Sequence, residues 1–144
     1  MKALEKFQQK FMVNELKIFE TTHWVWSLRP HQSTFGASIL SLKRGCETFG
    51  ELDQEEVCDL GKMIKTLEPT LKGILCYDVM NYLMLMMFDK HVHFHVFPRF
   101  EEPVQVLSEL WLDYNWPKTP DLIGEPLEFG KLHEITQYIK TNLK

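Results

Sequence analysis

The sequence predicts an α+β domain in which an antiparallel sheet carries helices on one side. Two apolar runs, residues 23–29 and 37–43, are separated by a short polar stretch and read as a hairpin. A helix start signal follows at Asp53, and two further strand-like runs, residues 79–88 and 91–97, come after that helix. Strands that pair first, then a helix, then strands again favour antiparallel neighbours over parallel crossovers.

Taken in order, residues 3–17 place Leu4, Phe7, Phe11 and Val13 near helical spacing among Lys and Glu, which predicts a short amphipathic helix. Trp24, Val25 and Trp26 mark the first strand, which ends at Arg29-Pro30; Ala37, Ile39, Leu40 and Leu42 mark the second. Asp53 offers an N-cap, with Glu56 three residues on to complete a capping box. The helix it opens carries Val57, Leu60, Ile64 and Leu67 on one face, and Pro69, lacking an amide hydrogen, is expected to kink or restart it. Pro98 is expected to end the strand at 91–97. The stretch from Glu101 to Pro126 is rich in Pro and Trp and reads as irregular covering structure. Leu132, Ile135, Ile139 and Leu143 predict a final helix over residues 131–143. The expectation is one domain over residues 1–144, its core between about residues 20 and 100 and its covering segment and last helix beyond.

Composition narrows the class of function. At 44% hydrophobic and 25% charged the chain is an ordinary globular sequence, large enough to hold a core without disulfides or metal staples. A net charge of −4 argues against broad nucleic-acid binding, while leaving room for a small anion at a local cluster of cations. Cys46, Cys58 and Cys76 are odd in number and lack C-x-x-C spacing, so they read as thiols in a reducing compartment. The N-terminus has no apolar secretory core, and the longest apolar run, Tyr82 to Phe88, is too short to span a bilayer. The expected location is the cytoplasm, with no membrane partner.

The chemistry concentrates in His91-Val92-His93-Phe94-His95, which holds three of the six histidines. A strand repeats every two residues, so the three imidazoles share one face, roughly 6–7 Å apart along the chain, while Val92, Phe94 and Val96 face the helices. Imidazole takes either protonation state near neutrality, so three in a row can divide the work of nucleophile, proton donor and orienting group. That suits phosphoryl or nucleotidyl transfer, which needs positioning and charge stabilisation above all. The same residues would serve as ligands of an open zinc or copper site. On these five residues alone, metal and phosphate chemistry stand level, with a solvated strand face as the bland alternative.

The stretch His91-Val92-His93-Phe94-His95-Val96-Phe97 resembles the signature of the histidine triad family, His-φ-His-φ-His-φ-φ with φ apolar, and Pro98-Arg99 after it is similar too. Trp24 to Lys43 resembles the family's first hairpin, Leu52 to Leu71 its long helix, and Asn81 lies near where many members carry an Asn. The resemblance implies the family's α+β fold and homodimer, and phosphate chemistry on a nucleotide. By it, His93 is the nucleophile that forms a nucleotidyl-imidazole intermediate, His91 orients His93, and His95 binds phosphate oxygens and assists the leaving group. Asn81, Ser27, Lys90 and Arg99 are the expected substrate-binding residues. No cofactor is implied beyond a divalent cation that would accompany the substrate phosphates.

Two departures qualify the likeness. Where many members have Gly-Gln-Ser/Thr-Val before the triad, this chain has Met86-Met87-Phe88-Asp89-Lys90, with no glycine or hydroxyl and only Lys90 to supply charge. Ser27 stands where a carboxylate or amide often holds the ribose, and Gly36-Ala37 stands where a Gly-His pair is common. Three readings follow: a nucleotide hydrolase or transferase, of dinucleoside polyphosphate or phosphoramidate type; a nucleotide-binding module that has lost catalysis; and a metal-dependent hydrolase. The apolar run Met84-Leu85-Met86-Met87 reads as core or dimer-interface filling.

Overall fold

The computed structural model describes residues 2–144. Its centre is a five-stranded antiparallel sheet in the order β1-β2-β4-β6-β5, built from β1 (Lys17–Glu20), β2 (Trp24–Leu28), β4 (Ser38–Leu42), β5 (Val79–Leu83) and β6 (His93–Arg99). The expected hairpin is present: β2 and β4 pair from Trp24↔Leu42 to Leu28↔Ser38. A two-residue strand in its turn, β3 (His31–Gln32), pairs with β9 (Glu125–Pro126).

Alternation decides which face each residue serves. Trp24, Trp26, Leu28, Leu40, Leu42, Val92 and Val96 point into the main core, where α2 (Gln54–Leu75) and α3 (Phe129–Thr141) cover them. Helix α2 starts as its sequence indicates, since Asp53 accepts from the Glu56 amide and the Glu56 carboxylate accepts from the Asp53 amide, at 2.8 and 2.9 Å. Its buried face overlaps the expected one at Leu67, with Leu60 packed at its margin, but is rotated from it. Met63, Leu67, Leu71 and Leu75 pack inward, whereas Val57 is 54% exposed. Glu56 and Asp59 occupy the inward positions of the first turns because they bond Arg44, Thr21 and the His23 amide. The helix runs through Pro69 without restarting.

Helix α1 (Ala3–Lys10) is shorter than its periodicity indicates. Residues 16–20 switch to a period of two, with Leu16 and Ile18 buried beside β2, and residues 17–20 form the edge strand β1. Unlike α2 and α3, α1 lies on the opposite face of the sheet, where Phe7, Phe11 and Val13 pack on Ile39 and Val25. Strand β5 stops at Leu83, five residues earlier than expected, and residues 84–92 form a loop. Pro98 does not end β6: it pairs with Met80, beyond Val96, where the ladder to β4 stops, so its missing amide breaks no bond to that neighbour. The stretch 101–126 is more regular than expected, with a hairpin of β7 (Val104–Val106) and β8 (Glu109–Trp111). Among the described residues no helix is long and apolar enough to cross a membrane.

Candidate active site

His93 and His95 sit on β6 and project to the face away from α2, while His91 precedes the strand on the loop that follows β5. The backbone there is held by the Val92 amide on the Cys46 carbonyl and the Leu42 amide on the Val92 carbonyl. The triad is enclosed rather than solvent-facing. Phe7 and Phe11, one turn apart on α1, put their rings 4.7 and 6.1 Å from that of His93; Phe7 also lies 5.1 Å from His91, and Phe11 5.8 Å from His95. His93 is left 2% exposed. Lys10 extends from the end of the same helix to Asp89, at 2.9 Å, and ties it to the loop 84–92.

The hydrogen bonds assign tautomers. His93 Nδ1 lies 2.5 Å from the His91 carbonyl, which can only accept, so Nδ1 carries the proton and Nε2 keeps its lone pair. His95 Nε2 is 3.3 Å from that Nε2, a donor's position if its own proton is there. His91 turns away, with Nε2 donating to the Leu42 carbonyl at 2.7 Å. It therefore orients His93 through its main-chain oxygen, not through its ring. The three side chains also fail to converge as ligands: among the described residues no group of three His, Cys, Asp or Glu is placed to hold a metal ion.

Enclosure sets the protonation states. Burial disfavours the imidazolium and pulls all three histidines below their ordinary value, His95 to about 3, with the neighbouring His93 and Arg29 adding to the effect on His95. Near neutral pH His93 Nε2 is thus unprotonated. Stability should carry the same signature. Unfolded histidines bind protons below about pH 6.5 while the folded ones do not, so stability is fully present above that value and declines as pH falls. The expected loss between pH 7 and 5 is at most about 1.4 kcal/mol per pH unit for each such histidine. Thermal melts should show it, with a shallower slope in His95→Gln; a melting temperature flat over this range in the wild type would contradict it.

The expected substrate residues do not gather at the triad. Ser27 shares the histidine face but is fully buried, with Ile39 between it and His95 across the strands, which removes it from reach of a ribose. Arg99 is also buried. Its guanidinium bonds Asp113 at 2.6 and 3.2 Å, the Lys118 carbonyl at 2.8 Å and Asn81 Oδ1 at 2.8 Å. Arg99 and Asn81 thus join the segment 113–118 to the sheet and line a cleft of about 640 Å³ with Trp116 and Pro117, away from the histidines. Lys90 is exposed at the end of the loop 84–92. Tyr114 is exposed, and Trp111 packs edge-on against Phe35.

Two hollows reach His93 or His95, and a third touches His91 from the side of Gly45 to Thr48. One of about 200 Å³ touches His93 and His95 beneath Leu85 to Asp89. The other, about 470 Å³, ends on His95 and is walled by Lys10, Phe11, Arg29, Phe88 and Ile123. Helical spacing pointed to Phe7 and Phe11 as a packed pair but not to the face they cover. Arg29, read from sequence as a strand end, has no local signal for its place beside His95.

No protein-family model matches the chain, and no curated protein matches it either. Solved structures do. A histidine triad protein from Sinorhizobium meliloti 1021 superposes with a TM-score of 0.70 at 20% identity, over 92% of this chain and 93% of that one. A zinc-bound histidine triad family protein from Mycobacterium smegmatis gives 0.64 at 12% identity, over 98% and 94%. A diadenosine triphosphate hydrolase from Plasmodium falciparum gives 0.61 at 12%, over 97% and 95%. The α+β fold of this chain is that of the histidine triad proteins.

Proposed function

We propose that the protein is a divergent histidine triad enzyme that hydrolyses or transfers a nucleotidyl group through His93. The observation that carries this reading is the tautomer of His93, whose Nδ1–H is held by the His91 carbonyl so that Nε2 presents its lone pair beside His95. In the first step Nε2 bonds to phosphorus, and the bond from phosphorus to the leaving oxygen or nitrogen breaks. The developing imidazolium charge is met by the His91 carbonyl. A bound phosphate brings negative charge that opposes the desolvation of His95 and raises its proton affinity, so His95 can pass a proton to the departing atom. In the second step water, giving a proton to His95, adds to phosphorus and the nitrogen–phosphorus bond opens, returning His93 and the protonated His95.

The dinucleoside polyphosphate and the nucleoside phosphoramidate are the two substrate types proposed, and the nucleotide the only partner besides a second copy of the chain. Strand β5, an edge strand of the sheet with Val79 half exposed, is the edge proposed for that copy. The test is to quench a reaction with either substrate in the wild type and look for nucleotide bound covalently to His93 by mass spectrometry. Covalent nucleotide at His93 supports the reading. Turnover of neither substrate, with no trapped adduct, sinks it.

The second reading is a nucleotide-binding module without catalysis. It is favoured by the burial of His93 beneath Phe7 and Phe11, since α1 or the loop 84–92 must shift before phosphorus reaches Nε2. Calorimetry with adenosine monophosphate beside the activity assay separates the two: binding without turnover supports the module.

A further inference from the structure

The chain buries two arginines under different circumstances. Arg99 is matched by the Asp113 carboxylate, as a buried guanidinium ordinarily is. Arg29 is 8% exposed and has no carboxylate within ion-pair distance among the described residues. Its bonds go to main-chain carbonyls, those of His31 at 3.1 Å, Ile123 at 3.4 Å and Leu122, while its buried Nε–H has no partner. Of five N–H donors, Nε and one other are unbonded. A positive charge is thus held inside the protein without a counter-ion.

Its position gives the charge a use. The guanidinium lies over the Phe97 ring, 5.4 Å from the centroid, and that ring is stacked with His95 at 6.4 Å. The side chain is therefore fixed beside the triad. It walls the 470 Å³ cleft that ends on His95, and Lys10 stands on the same cleft. The nearby carboxylates do not cancel it: Asp89 is engaged by Lys10, and Asp121 acts on Arg29 only at a distance. Leu122 and Ile123 form a strap over the arginine, anchored where β9 pairs with β3 and where Gly124, at φ +71°, brings its backbone against Ser33. A Cβ at residue 124 would lie 2.8 Å from the Ser33 amide nitrogen, so this strap is built for close approach.

We propose that Arg29 forms an anion subsite beside His95 that holds a second phosphate of the substrate. The inference rests on phosphate chemistry at His93 and selects within it. The preferred substrate has linked phosphates, one at His93 and the next at Arg29, rather than a single phosphate joined to a neutral amine. A cleft of this volume accommodates a ligand larger than one phosphate.

The experiment measures binding of inorganic pyrophosphate by calorimetry to the wild type, Arg29→Lys and Arg29→Met, with kcat/KM for a dinucleoside polyphosphate and for a nucleoside phosphoramidate alongside. Arg29→Met should weaken pyrophosphate by at least about tenfold, with Arg29→Lys between it and the wild type. The Met variant should lose at least about tenfold more activity on the polyphosphate than on the phosphoramidate. No pyrophosphate binding to the wild type, equal affinity in folded variants, or equal loss on both substrates overturns the proposal. If the Met variant does not fold, the Lys variant and the wild-type titration still decide. Pyrophosphate binding that depends on Arg29, without turnover of either nucleotide, removes the enzyme reading and leaves the subsite standing.

Discussion

Replacing His93 by alanine is expected to lower kcat/KM by at least about a thousandfold on whichever substrate the wild type turns over, with the fold retained. The size follows from what is lost. His93 Nε2 is the one ring nitrogen of the triad that the hydrogen bonds leave with a free lone pair facing another histidine donor. No neighbouring side chain can substitute, because the His91 Nε2 proton is committed to the Leu42 carbonyl and its ring faces away. The alanine also opens space under Phe7 and Phe11, so far-ultraviolet circular dichroism and a melt accompany the assay, and His93→Gln serves as a closer match in volume. His95→Ala should cost less when the leaving group needs no proton, which separates nucleophile from donor. A folded His93→Ala variant retaining more than about a hundredth of the activity would rule out the covalent route.

Asp113→Ala should destabilise the protein by about 3–5 kcal/mol, the usual cost of stranding one member of a buried ion pair. Both partners are nearly inaccessible, and Asp113 accepts from Arg99 Nε and Nη2 and from the Phe100 amide. Removing it leaves the guanidinium with only Asn81 and the Lys118 carbonyl. Asp113→Asn, which keeps an acceptor but not the charge, should cost less. The double variant Arg99→Met with Asp113→Leu should recover much of the loss, because replacing both partners removes the stranded charge. Urea unfolding measures all three. A loss below about 1 kcal/mol in Asp113→Ala would mean the pair contributes little beyond its geometry.

Much of the architecture was legible because its signals are local. The capping box at Asp53, the turn between β2 and β4 and the two-residue period of 93–97 each depend on neighbours in the chain. Errors arose where a distant contact outweighed a local pattern. The helix expected over residues 3–17 stops at Lys10, because β2 offers residues 17–20 a ladder and the Leu28 amide takes the Leu16 carbonyl. Val57 has helical spacing with Leu60 and Ile64, but Glu56 and Asp59 take the inner turns because Arg44, Thr21 and the His23 amide supply them with hydrogen bonds. Pro98 sits inside β6 because β4 ends at its Val96 pairing. Of the substrate residues, Asn81 and Arg99 are together, but with Asp113, and Ser27 is beneath Ile39's side of the sheet rather than at a ligand.

The sequence by itself determined the α+β class, the capped helix and the placing of His93 and His95 on one side of a strand, since period and capping are properties of adjacent residues. Only the tertiary structure decided what that side faces. Residues 3–11 fold over it, so the histidines are largely enclosed and their imidazolium forms disfavoured, and Arg29, more than sixty positions away along the chain, comes to lie beside His95. Burial and electrostatic reach depend on which segments meet in space, and no local pattern in the chain carries that information.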